Sequence, residues 1–383
     1  MESNGLNKPS VLIVVPNLGG GGLERMALLL AEALYKAGHP ATLFAHEVRG
    51  DLLEQIPQGV AFVSHSGTRY TRRKLPGLLA ASRQQMRRHD ITIAAAEGRV
   101  AALCCMASIA LRKPLICWVH NDWREFSLHT SSRALLSLHI MRRATRIVAV
   151  SHGAAVGLSE VTGISPDKID VIWNGIDTER IMQAAQDPLP EPFTGTIGPR
   201  TILFAGRLTK QKGPDLLLEA CGQLAHSGTM IDLVLVGQGK MYKALKTRAA
   251  ELGLSQHVRF AGYQPNPFPF FSQAGVFVLP SRYEGFGLVV AEALACQIKI
   301  IASDCRSGPR EILDNGAYGK LVKTGSVQAL SEALDTALNH SEPQTDAACN
   351  AGLERARAFD MCVFQSDWAK YIAQFSRTYI PSG

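Results

Sequence analysis

The chain has 383 residues, enough for two ordinary domains, and its 46% hydrophobic and 19% charged residues exclude a disordered chain. Its eight cysteines show no Cys-x-x-Cys spacing and no nearby pair of histidines, so we interpret them as reduced core residues of a cytoplasmic protein rather than as metal ligands. The polar N-terminal segment has no signal-peptide pattern. The longest charge-free apolar helical stretch, Val100 to Leu111, is too short to span a bilayer.

The net charge of +7 is distributed unevenly along the chain. Between Arg69 and Arg146 there are 15 Lys or Arg against 4 Asp or Glu, so this segment has a charge of +11 and the rest of the chain −4. A basic segment of this kind suits an anionic lipid surface or a phosphorylated acceptor. The simpler alternative, a solvated helix face that keeps the protein soluble, stays open.

The first predicted elements are a strand, a glycine-rich loop, a helix and a second strand. The apolar run Val11–Val15 predicts the strand, and a loop at 19–22 leads into a helix from Leu23 to Lys36 that ends near Gly38. The next strand is predicted at Ala41–Ala45. Glycines let a backbone approach a ligand closely, but the dinucleotide fingerprint Gly-x-Gly-x-x-Gly is missing, so a nicotinamide cofactor is poorly supported.

The same alternation of strand, loop and helix continues on both sides of a proline-rich stretch. Further strands in the first half are predicted at Ile91–Ala95, Leu115–Val119, Arg146–Val150 and Lys168–Ile172. Residues 187–200 contain four prolines and indicate a linker. Beyond it, strands are predicted at Thr201–Ala205, Ile231–Val236, Val258–Ala261, Val276–Leu279 and Ile298–Ala302, with helices at Pro214–Leu224 and Lys240–Leu252. This order predicts an α/β protein with two doubly wound Rossmann-like domains facing each other across a cleft.

Residues 280–292 contain the most informative motif. Glu284 precedes a Gly-Phe-Gly turn and Glu292 lies eight positions later, inside the apolar helix that follows the turn. A turn after a parallel strand lies at the carboxyl edge of the sheet, where ligands bind, and the free N–H groups that open the helix suit a phosphate. Two isolated glutamates are more often solvated, but the strand edge and the glycines favour a binding role here.

In this order and spacing the motifs resemble the retaining glycosyltransferases of family 4, which have the GT-B arrangement of two Rossmann-like domains. The resemblance covers nearly the whole chain. It rests on the loop at 19–22, Val-Ser at 150–151, Asn-Gly-Ile-Asp at 174–177, Gly-Arg-Leu-x-x-x-Lys-Gly at 206–213, Val-Gly-x-Gly at 236–239 and Glu-x7-Glu at 284–292. The segment 304–313 is similar to members that build bacterial surface polysaccharides, lipopolysaccharides and lipid-linked oligosaccharides.

The resemblance implies four catalytic residues. Arg207 and Lys212 match the family's diphosphate-binding cations, which stabilise the departing nucleoside diphosphate without a metal. Glu284 matches the carboxylate that contacts the donor sugar, and His120, at the end of a predicted strand, matches a histidine near the reacting carbon. A structural histidine at that strand end is the alternative.

The resemblance also implies donor-binding and acceptor-binding residues. The donor-binding positions are Gly21, Gly22, Gly206, Gly237, Gly262, Tyr263, Gly285, Phe286, Gly287, Leu288 and the ribose ligand Glu292. Gly21 and Gly22 are expected to approach the diphosphate from the opposite domain. Asp122 and Glu125 are candidates for acceptor contact, and Arg282 with Tyr283 is positioned to tune the donor pocket.

The expected domains are an N-terminal acceptor-side domain at 1–190, a linker at 191–200, a nucleotide-sugar-binding domain at 201–362 and a helix at 363–383 that packs back on the first domain. The apolar residues of that helix are Phe364, Trp368, Tyr371, Ile372 and Phe375. Gln297 departs from the family pattern because it stands where a glycine ends the helix after Glu292, so a left-handed residue or a different helix exit is expected.

The implied reaction is metal-independent transfer with retention, in which the leaving phosphate takes the acceptor's proton and closure of the cleft excludes water. The donor is a nucleotide-diphosphate sugar, most commonly of uridine in this family, with no further cofactor. The acceptor is a glycan or glycolipid, met at the cytoplasmic face of the anionic inner membrane through the segment 69–146. Nucleic acid is not an expected partner.

Three alternatives differ in function. A nucleotide-sugar epimerase of the same fold binds the same donors without an acceptor, and a non-enzymatic polyanion-binding or lipid-binding protein uses only the basic segment. A carbohydrate phosphorylase is less consistent with the sequence, because nothing suggests a pyridoxal lysine site.

Overall fold

The computed structural model describes residues 8–19, 21–65, 74–124, 132–340 and 346–380. The chain divides into two compact units. The first comprises Met1–Gly175 together with Cys362–Gly383, and the second comprises Ile176–Met361. Within the described residues, no helix combines the length and the hydropathy that crossing a bilayer requires.

The first unit is built on a seven-stranded sheet in which every neighbouring pair of strands is parallel. Its strands are β1 Val11–Val15, β2 Ala41–Ala45, β3 Ala61–Ser64, β4 Ile91–Ala94, β5 Leu115–Val119, β6 Arg146–Ala149 and β7 Ile169–Val171. Their order is β3-β2-β1-β4-β5-β6-β7, so the direction of winding reverses between β1 and β4. β1 and β5 are buried along their whole length, as expected for parallel strands covered on both faces.

Helices connect these strands. They are α1 Gly22–Lys36, α2 Leu75–Arg87, α3 Arg99–Leu111, α4 Ser132–Met141 and α5 His152–Thr162. Gly38 follows α1 with φ +85°, as expected for a glycine that ends a helix. The predicted core helix at 100–111 is confirmed as α3, whose inner face is buried.

The C-terminal helix packs back on the first unit, as predicted. This helix spans Met361–Tyr379 and is numbered α14, because helices α6 to α13 lie in the second unit. The Trp118 ring of β5 lies 5.1 Å from the Trp368 ring and 6.1 Å from the Phe364 ring, measured between centroids. The Tyr371 hydroxyl donates to Asp170 Oδ2 at 2.8 Å, and Asp170 also accepts from Arg146. Buried aromatic contacts and this polar anchor therefore fix the helix to the sheet.

The second unit repeats the architecture with six parallel strands. They are β8 Ile202–Ala205, β9 Leu233–Val236, β10 Val258–Gly262, β11 Val276–Leu279, β12 Lys299–Ser303 and β13 Lys320–Val322. Their order is β10-β9-β8-β11-β12-β13, the strand order of a dinucleotide-binding Rossmann domain. The winding reverses between β8 and β11, and ligands of such sheets bind outside the carboxyl ends of the strands at that point.

The helices of the second unit cover both faces of this sheet. They are α6 Thr178–Ala184, α7 Pro214–His226, α8 Tyr242–Glu251, α9 Phe268–Gln273, α10 Leu288–Ala295, α11 Pro309–Ile312, α12 Val327–Asp335 and α13 Asp346–Arg357. The prediction of two Rossmann-like units is therefore confirmed. Strands β3 and β13 were not predicted.

The predicted domain boundary differs from the observed one. The division falls between Gly175 and Ile176, and the segment predicted as a linker belongs to the second unit. Leu189 and Phe193 are buried there, and the Phe193 ring lies 5.2 Å from the Phe270 ring. The Asn266 side chain donates to the Ala184 carbonyl at 2.8 Å. Leu189 and Phe193 therefore anchor this segment to the second unit, although most of its residues, including Pro188, Pro192 and Pro199, are exposed.

Gln297 adopts the left-handed conformation, with φ +58°. Its N–H donates to the Leu294 carbonyl at 3.0 Å, which ends α10 and turns the chain into β12. The sequence predicted either this conformation or a different helix exit, and the structure shows the first. A left-handed residue that has a Cβ costs about 1–2 kcal/mol relative to the right-handed form.

The substitution Gln297→Gly tests this strain. Glycine removes the Cβ penalty but gains entropy in the unfolded chain, so we expect the free energy of unfolding to rise by up to about 1 kcal/mol. Gln297→Ala is the matched control and should give no increase, because alanine keeps the Cβ. Urea unfolding of both variants measures the difference, and equal stabilities would contradict the strain.

Candidate functional site

The loops that follow β8 and β11 meet at the point where the second sheet reverses its winding. The loop after β8 contains Gly206 to Gly213, and the loop after β11 contains Pro280 to Gly287. Gly213 has φ +67°, and a methyl group added there would lie 2.1 Å from the Pro280 carbonyl oxygen. Only glycine permits this approach, which places the residue before it against the second loop.

Lys212 and Glu284 form an ion pair across these two loops. Lys212 Nζ lies 2.6 Å from Glu284 Oε1, and the two side chains are only 14% and 5% exposed. The Ser281 hydroxyl donates to the same Oε1 at 2.6 Å. The predicted diphosphate cation and the predicted sugar carboxylate are therefore direct neighbours.

Glu284 is held by its main chain as well as by its side chain. The Ser307 hydroxyl donates to the Glu284 carbonyl at 2.6 Å. Cys305 lies near the pair. Burial raises the pKa of its thiol, and the charge of Glu284 contributes to a lesser extent. Among the described residues, both side-chain hydrogen bonds of Glu284 fall on Oε1, so Oε2 remains for further donors.

A second set of contacts clamps the two loops together. Arg282 binds Asp215 through two hydrogen bonds of 2.9 and 2.8 Å, and its NH1 group also donates to the Lys210 carbonyl. Burial opposes ionisation of Asp215, but the hydrogen bonds from Arg282 and Lys210 hold the pKa of its carboxyl below the usual range. Arg282 therefore acts as a brace between the two loops, and its expected effect on the donor pocket stays a prediction.

Arg207 is an exposed cation at the start of the first loop. Its NH2 group donates to Gln211 Oε1 at 3.3 Å, and Gln211 donates in turn to the Tyr283 carbonyl at 3.2 Å. This chain of contacts links Arg207 to the loop that carries Glu284. A solvent-facing guanidinium with one weak neutral partner is available for an anion.

The turn before α10 presents main-chain groups rather than side chains. Gly287 has φ +87° and precedes the first residue of the helix, Leu288. Gly285 lies buried in the same turn, and the Phe286 ring is also buried, 5.6 Å from the Phe359 ring. The predicted binding by the 285–288 backbone is therefore compatible with the structure, whereas the Phe286 side chain belongs to the core. Glu292 lies half-buried on α10.

The glycines that follow β8 and β9, Gly206 and Gly237, lie close to Gly262, the last residue of β10. Gly237 has φ +130°, and a methyl group there would lie 2.0 Å from the Gly206 carbonyl oxygen. The Gly237 N–H donates to the Gly262 carbonyl at 2.6 Å. Tyr263, the next residue, is 62% exposed. These predicted donor-binding positions therefore all lie at the carboxyl edge of the second sheet.

His120 follows β5 in the first unit. Its ring centroid lies 4.4 Å from that of Trp118, and its Nε2 atom is buried without a hydrogen-bond partner among the described residues. Burial lowers the pKa of His120 to about 3, although a hydrogen bond with the Ala95 backbone opposes the shift. Burial therefore favours the neutral imidazole, in which one ring nitrogen is a donor and the other an acceptor.

Glu97, which the sequence analysis did not single out, holds the turn that contains His120. Its Oε1 atom accepts the His120 N–H at 2.5 Å and the Asn121 N–H at 2.9 Å. Burial raises the pKa of Glu97 against these hydrogen bonds. Its place directly after the predicted strand β4 is the signal that would have identified it, because that strand ends at the same sheet edge as β5.

The acceptor candidates receive less support. Asp122 is buried, and Arg124 NH2 donates to its Oδ2 at 2.6 Å. Arg124 also donates to the Gly153 carbonyl, so the pair ties the turn to α5. The expected acceptor contact at Asp122 stays a prediction, and the carboxylate would have to share or release Arg124 to make it. Glu125 lies outside the described residues.

Gly21 and Gly22 begin α1 at the carboxyl end of β1. Gly21 has φ −75°, and a methyl group on it would lie 2.5 Å from Glu24 Oε2. The space beside this glycine is thus used by an internal carboxylate, which an approaching anion would have to displace. Their predicted contact with a diphosphate stays a prediction.

Two family models match the chain. Residues 20–180 match the one described as Glycosyltransferase Family 4, and residues 193–352 match Glycosyl transferases group 1. The N-acetylgalactosamine-N,N'-diacetylbacillosaminyl-diphospho-undecaprenol 4-alpha-N-acetylgalactosaminyltransferase of Campylobacter jejuni is 31% identical over 259 residues, which are 68% of this chain and 67% of that protein. The lipopolysaccharide 1,6-galactosyltransferase of Salmonella typhimurium is 27% identical over 228 residues, 58% of this chain and 60% of that protein.

The fold comparison agrees with the sequence comparison. The crystal structure of HepE from Anabaena in complex with UDP and glucose superposes with a TM-score of 0.80, at 20% identity, over 96% of this chain and 100% of that chain. The fold is therefore GT-B, and the molecule is a glycosyltransferase. The chain belongs to glycosyltransferase family 4.

The low pKa of His120 predicts a pH dependence of stability. In the unfolded chain the ring binds a proton near pH 6.5, whereas the folded ring stays neutral down to about pH 3. The unfolded state therefore binds more protons in this window, and the free energy of unfolding falls as the pH falls, by up to about 1.4 kcal/mol per pH unit.

Urea unfolding at about pH 7 and about pH 5.5 measures this loss, which His120→Gln should reduce. Imidazole NMR should show a neutral His120 ring in the folded protein at both values. A His120 resonance that titrates near its ordinary pKa would contradict the buried, neutral ring.

Proposed function

We propose that the chain is a retaining, metal-independent glycosyltransferase that moves a hexose or N-acetylhexosamine from a UDP-sugar to a glycan or glycolipid in bacterial surface-polysaccharide or lipopolysaccharide biosynthesis. The observation that carries this proposal is the Lys212–Glu284 pair at the carboxyl edge of the second sheet, where its winding reverses. A cation for a diphosphate and a carboxylate for sugar hydroxyls are adjacent there.

The cations supply the electrostatic part of the catalysis. When the bond from the anomeric carbon to the phosphate breaks, negative charge develops on the leaving diphosphate. Arg207, exposed on the β8 loop, and Lys212, fixed beside the β11 loop, stabilise that charge, and removal of one such group typically slows a reaction by 10²–10³-fold. Two cations at this place do the work for which other transferases use a divalent metal.

The carboxylates and the turn before α10 orient the donor. Ser281 and Lys212 both donate to Glu284 Oε1. The other carboxylate oxygen, Oε2, accepts hydrogen bonds from sugar hydroxyls. Main-chain N–H groups at 285–288 bind the distal phosphate at the start of α10, where the helix dipole favours an anion. Glu292, one helix turn further on, binds the ribose diol.

His120 contributes a hydrogen bond and not proton transfer. An imidazole with a pKa of about 3 is too weak a base to deprotonate an acceptor hydroxyl, but its Nε2 atom, which has no partner among the described residues, hydrogen-bonds with a donor-sugar hydroxyl. The acceptor's proton then passes to the leaving phosphate oxygen on the same face of the sugar. Transfer on one face retains the configuration of the anomeric carbon.

The acceptor is lipid-linked and is met at a membrane surface. The Campylobacter relative is named for a diphospho-undecaprenol substrate, and the Salmonella relative for lipopolysaccharide. The described part of the basic segment includes Arg87 and Arg88, both exposed at the end of α2. Such cations attract anionic lipid at the cytoplasmic face. Arg69, Arg72 and Arg73 of this segment lie outside the described residues.

Nucleotide binding tests the donor site. In a thermal-shift screen with UDP, GDP and ADP, each with and without Mg²⁺, we expect UDP to raise the melting temperature without metal, because a ligand that binds only the folded state stabilises it. Arg207→Ala and Lys212→Ala should abolish most of the shift.

Lys210→Ala is the matched control for the two variants. Lys210 lies in the same loop and has the same charge, but its Nζ pairs with Asp215 at 2.6 Å. Its loss should leave the UDP shift nearly intact. A cooperatively melting wild-type protein that responds to no nucleotide would contradict the proposed function.

A further inference from the structure

The ammonium group of Lys212, which is proposed to bind the diphosphate, already pairs with a carboxylate of the protein. Its Nζ donates to Glu284 Oε1 at 2.6 Å in a setting where both side chains are largely shielded from water. An ion pair shielded in this way is stronger than one at the surface, because water and salt screen it less. Whenever this pair is formed, a bound phosphate must share Lys212 with the carboxylate or replace it.

The two members of the pair differ in their freedom to move. Glu284 is fixed by Ser281 on its carboxylate and by Ser307 on its carbonyl, both at 2.6 Å. The Lys212 ammonium group extends into the pair on a flexible four-carbon stem, and Glu284 is the one hydrogen-bond partner of this group among the described residues. Phosphate binding would therefore redirect Lys212 and leave the Glu284 carboxylate in place.

A carboxylate in this place distinguishes an intact donor from a free nucleoside diphosphate. In the donor the distal phosphate is esterified to the sugar, whose hydroxyls can donate to Glu284 Oε2. In the free diphosphate the terminal phosphate has a second ionisation near pH 6 and gains up to one further negative charge. The terminal phosphate also has no sugar attached whose hydroxyls could donate to Glu284. The carboxylate therefore repels the free diphosphate, and no hydrogen bond offsets the repulsion.

We propose that Glu284 is a specificity-determining residue that acts as a competing counter-ion for Lys212 and thereby weakens the binding of the released nucleoside diphosphate relative to the intact sugar donor. This inference rests on the proposed function. A site binds its ligand more weakly when only a fraction of the molecules has the binding-competent form. Here that form has Lys212 released from Glu284, so the ion pair lowers the affinity for a phosphate. The donor recovers it through its hydroxyl contacts, and the product does not, which eases product release.

Glu284→Gln separates charge from shape. The amide keeps the size of the side chain and an oxygen for the Ser281 hydroxyl, but it removes the counter-ion. By calorimetry at constant ionic strength, we expect UDP to bind about tenfold more tightly to the variant, while UDP-glucose gains less or loses affinity. GDP and GDP-mannose replace these probes if the nucleotide screen selects guanine.

Two controls identify the cause. The double variant Lys212→Ala with Glu284→Gln should lose the gain, because the redirected ammonium produces it. Glu292→Gln removes the same charge from α10, which follows the same turn, but as the proposed ribose ligand it should weaken UDP binding. If the Glu284→Gln protein does not melt cooperatively, Glu284→Asp withdraws the carboxylate from Lys212 by one methylene and should give a smaller gain.

The outcomes separate the inference from the function on which it rests. If the wild-type protein binds UDP and the folded variant at position 284 binds it no more tightly, the counter-ion role is overturned while the transferase proposal stands. An equal gain for UDP and UDP-glucose would likewise overturn the discrimination. A wild-type protein that binds none of the nucleoside diphosphates would contradict the proposed function itself.

Discussion

The contact between Lys212 and Glu284 depends on the order of the strands, and the arrangement of the candidate site follows from it. β8 and β11 are neighbours only because the sheet reverses its winding between them, which places their loops side by side. Gly213 then allows the first loop to reach the Pro280 carbonyl of the second. A shielded ion pair is weak evidence of a gain in stability, since apolar side chains of similar size often serve as well. The place of the ion pair in a contact between two loops is better explained by a role in binding than by a gain in stability.

The contacts around the ion pair fix Glu284 and leave the Lys212 side chain free to move. Arg282 and Asp215 brace the two loops, and two serines fix Glu284. Lys212 has none of these restraints and can follow a phosphate. A carboxylate that orients sugar hydroxyls needs a fixed position, whereas a cation that stabilises a departing group gains from a flexible stem. The same loop pair thus meets two different mechanical requirements.

The sequence predicted the parts of the fold that depend on local pattern. Continuous apolar runs identified the buried strands, and the missed strands, β3 and β13, are short and only partly buried edge strands. At position 297 the sequence left two alternatives, a left-handed residue or a different helix exit, because a helix end requires a particular backbone. The boundary at Gly175 was missed because the burial of Phe193 depends on Phe270, a distant residue. Likewise, Glu97 accepts the N–H of His120, 23 positions away, and this contact depends on two strands that end at the same sheet edge.

A crystal structure of the protein with UDP tests the central claim most directly, because the claim concerns which group Lys212 binds. The account predicts a diphosphate oxygen within about 3 Å of Lys212 Nζ, near the N-terminus of α10, with Glu284 still accepting from Ser281. It also predicts a longer distance between Lys212 and Glu284 than the present 2.6 Å. A diphosphate bound away from the β8 and β11 loops, with the ion pair unchanged, would contradict the account.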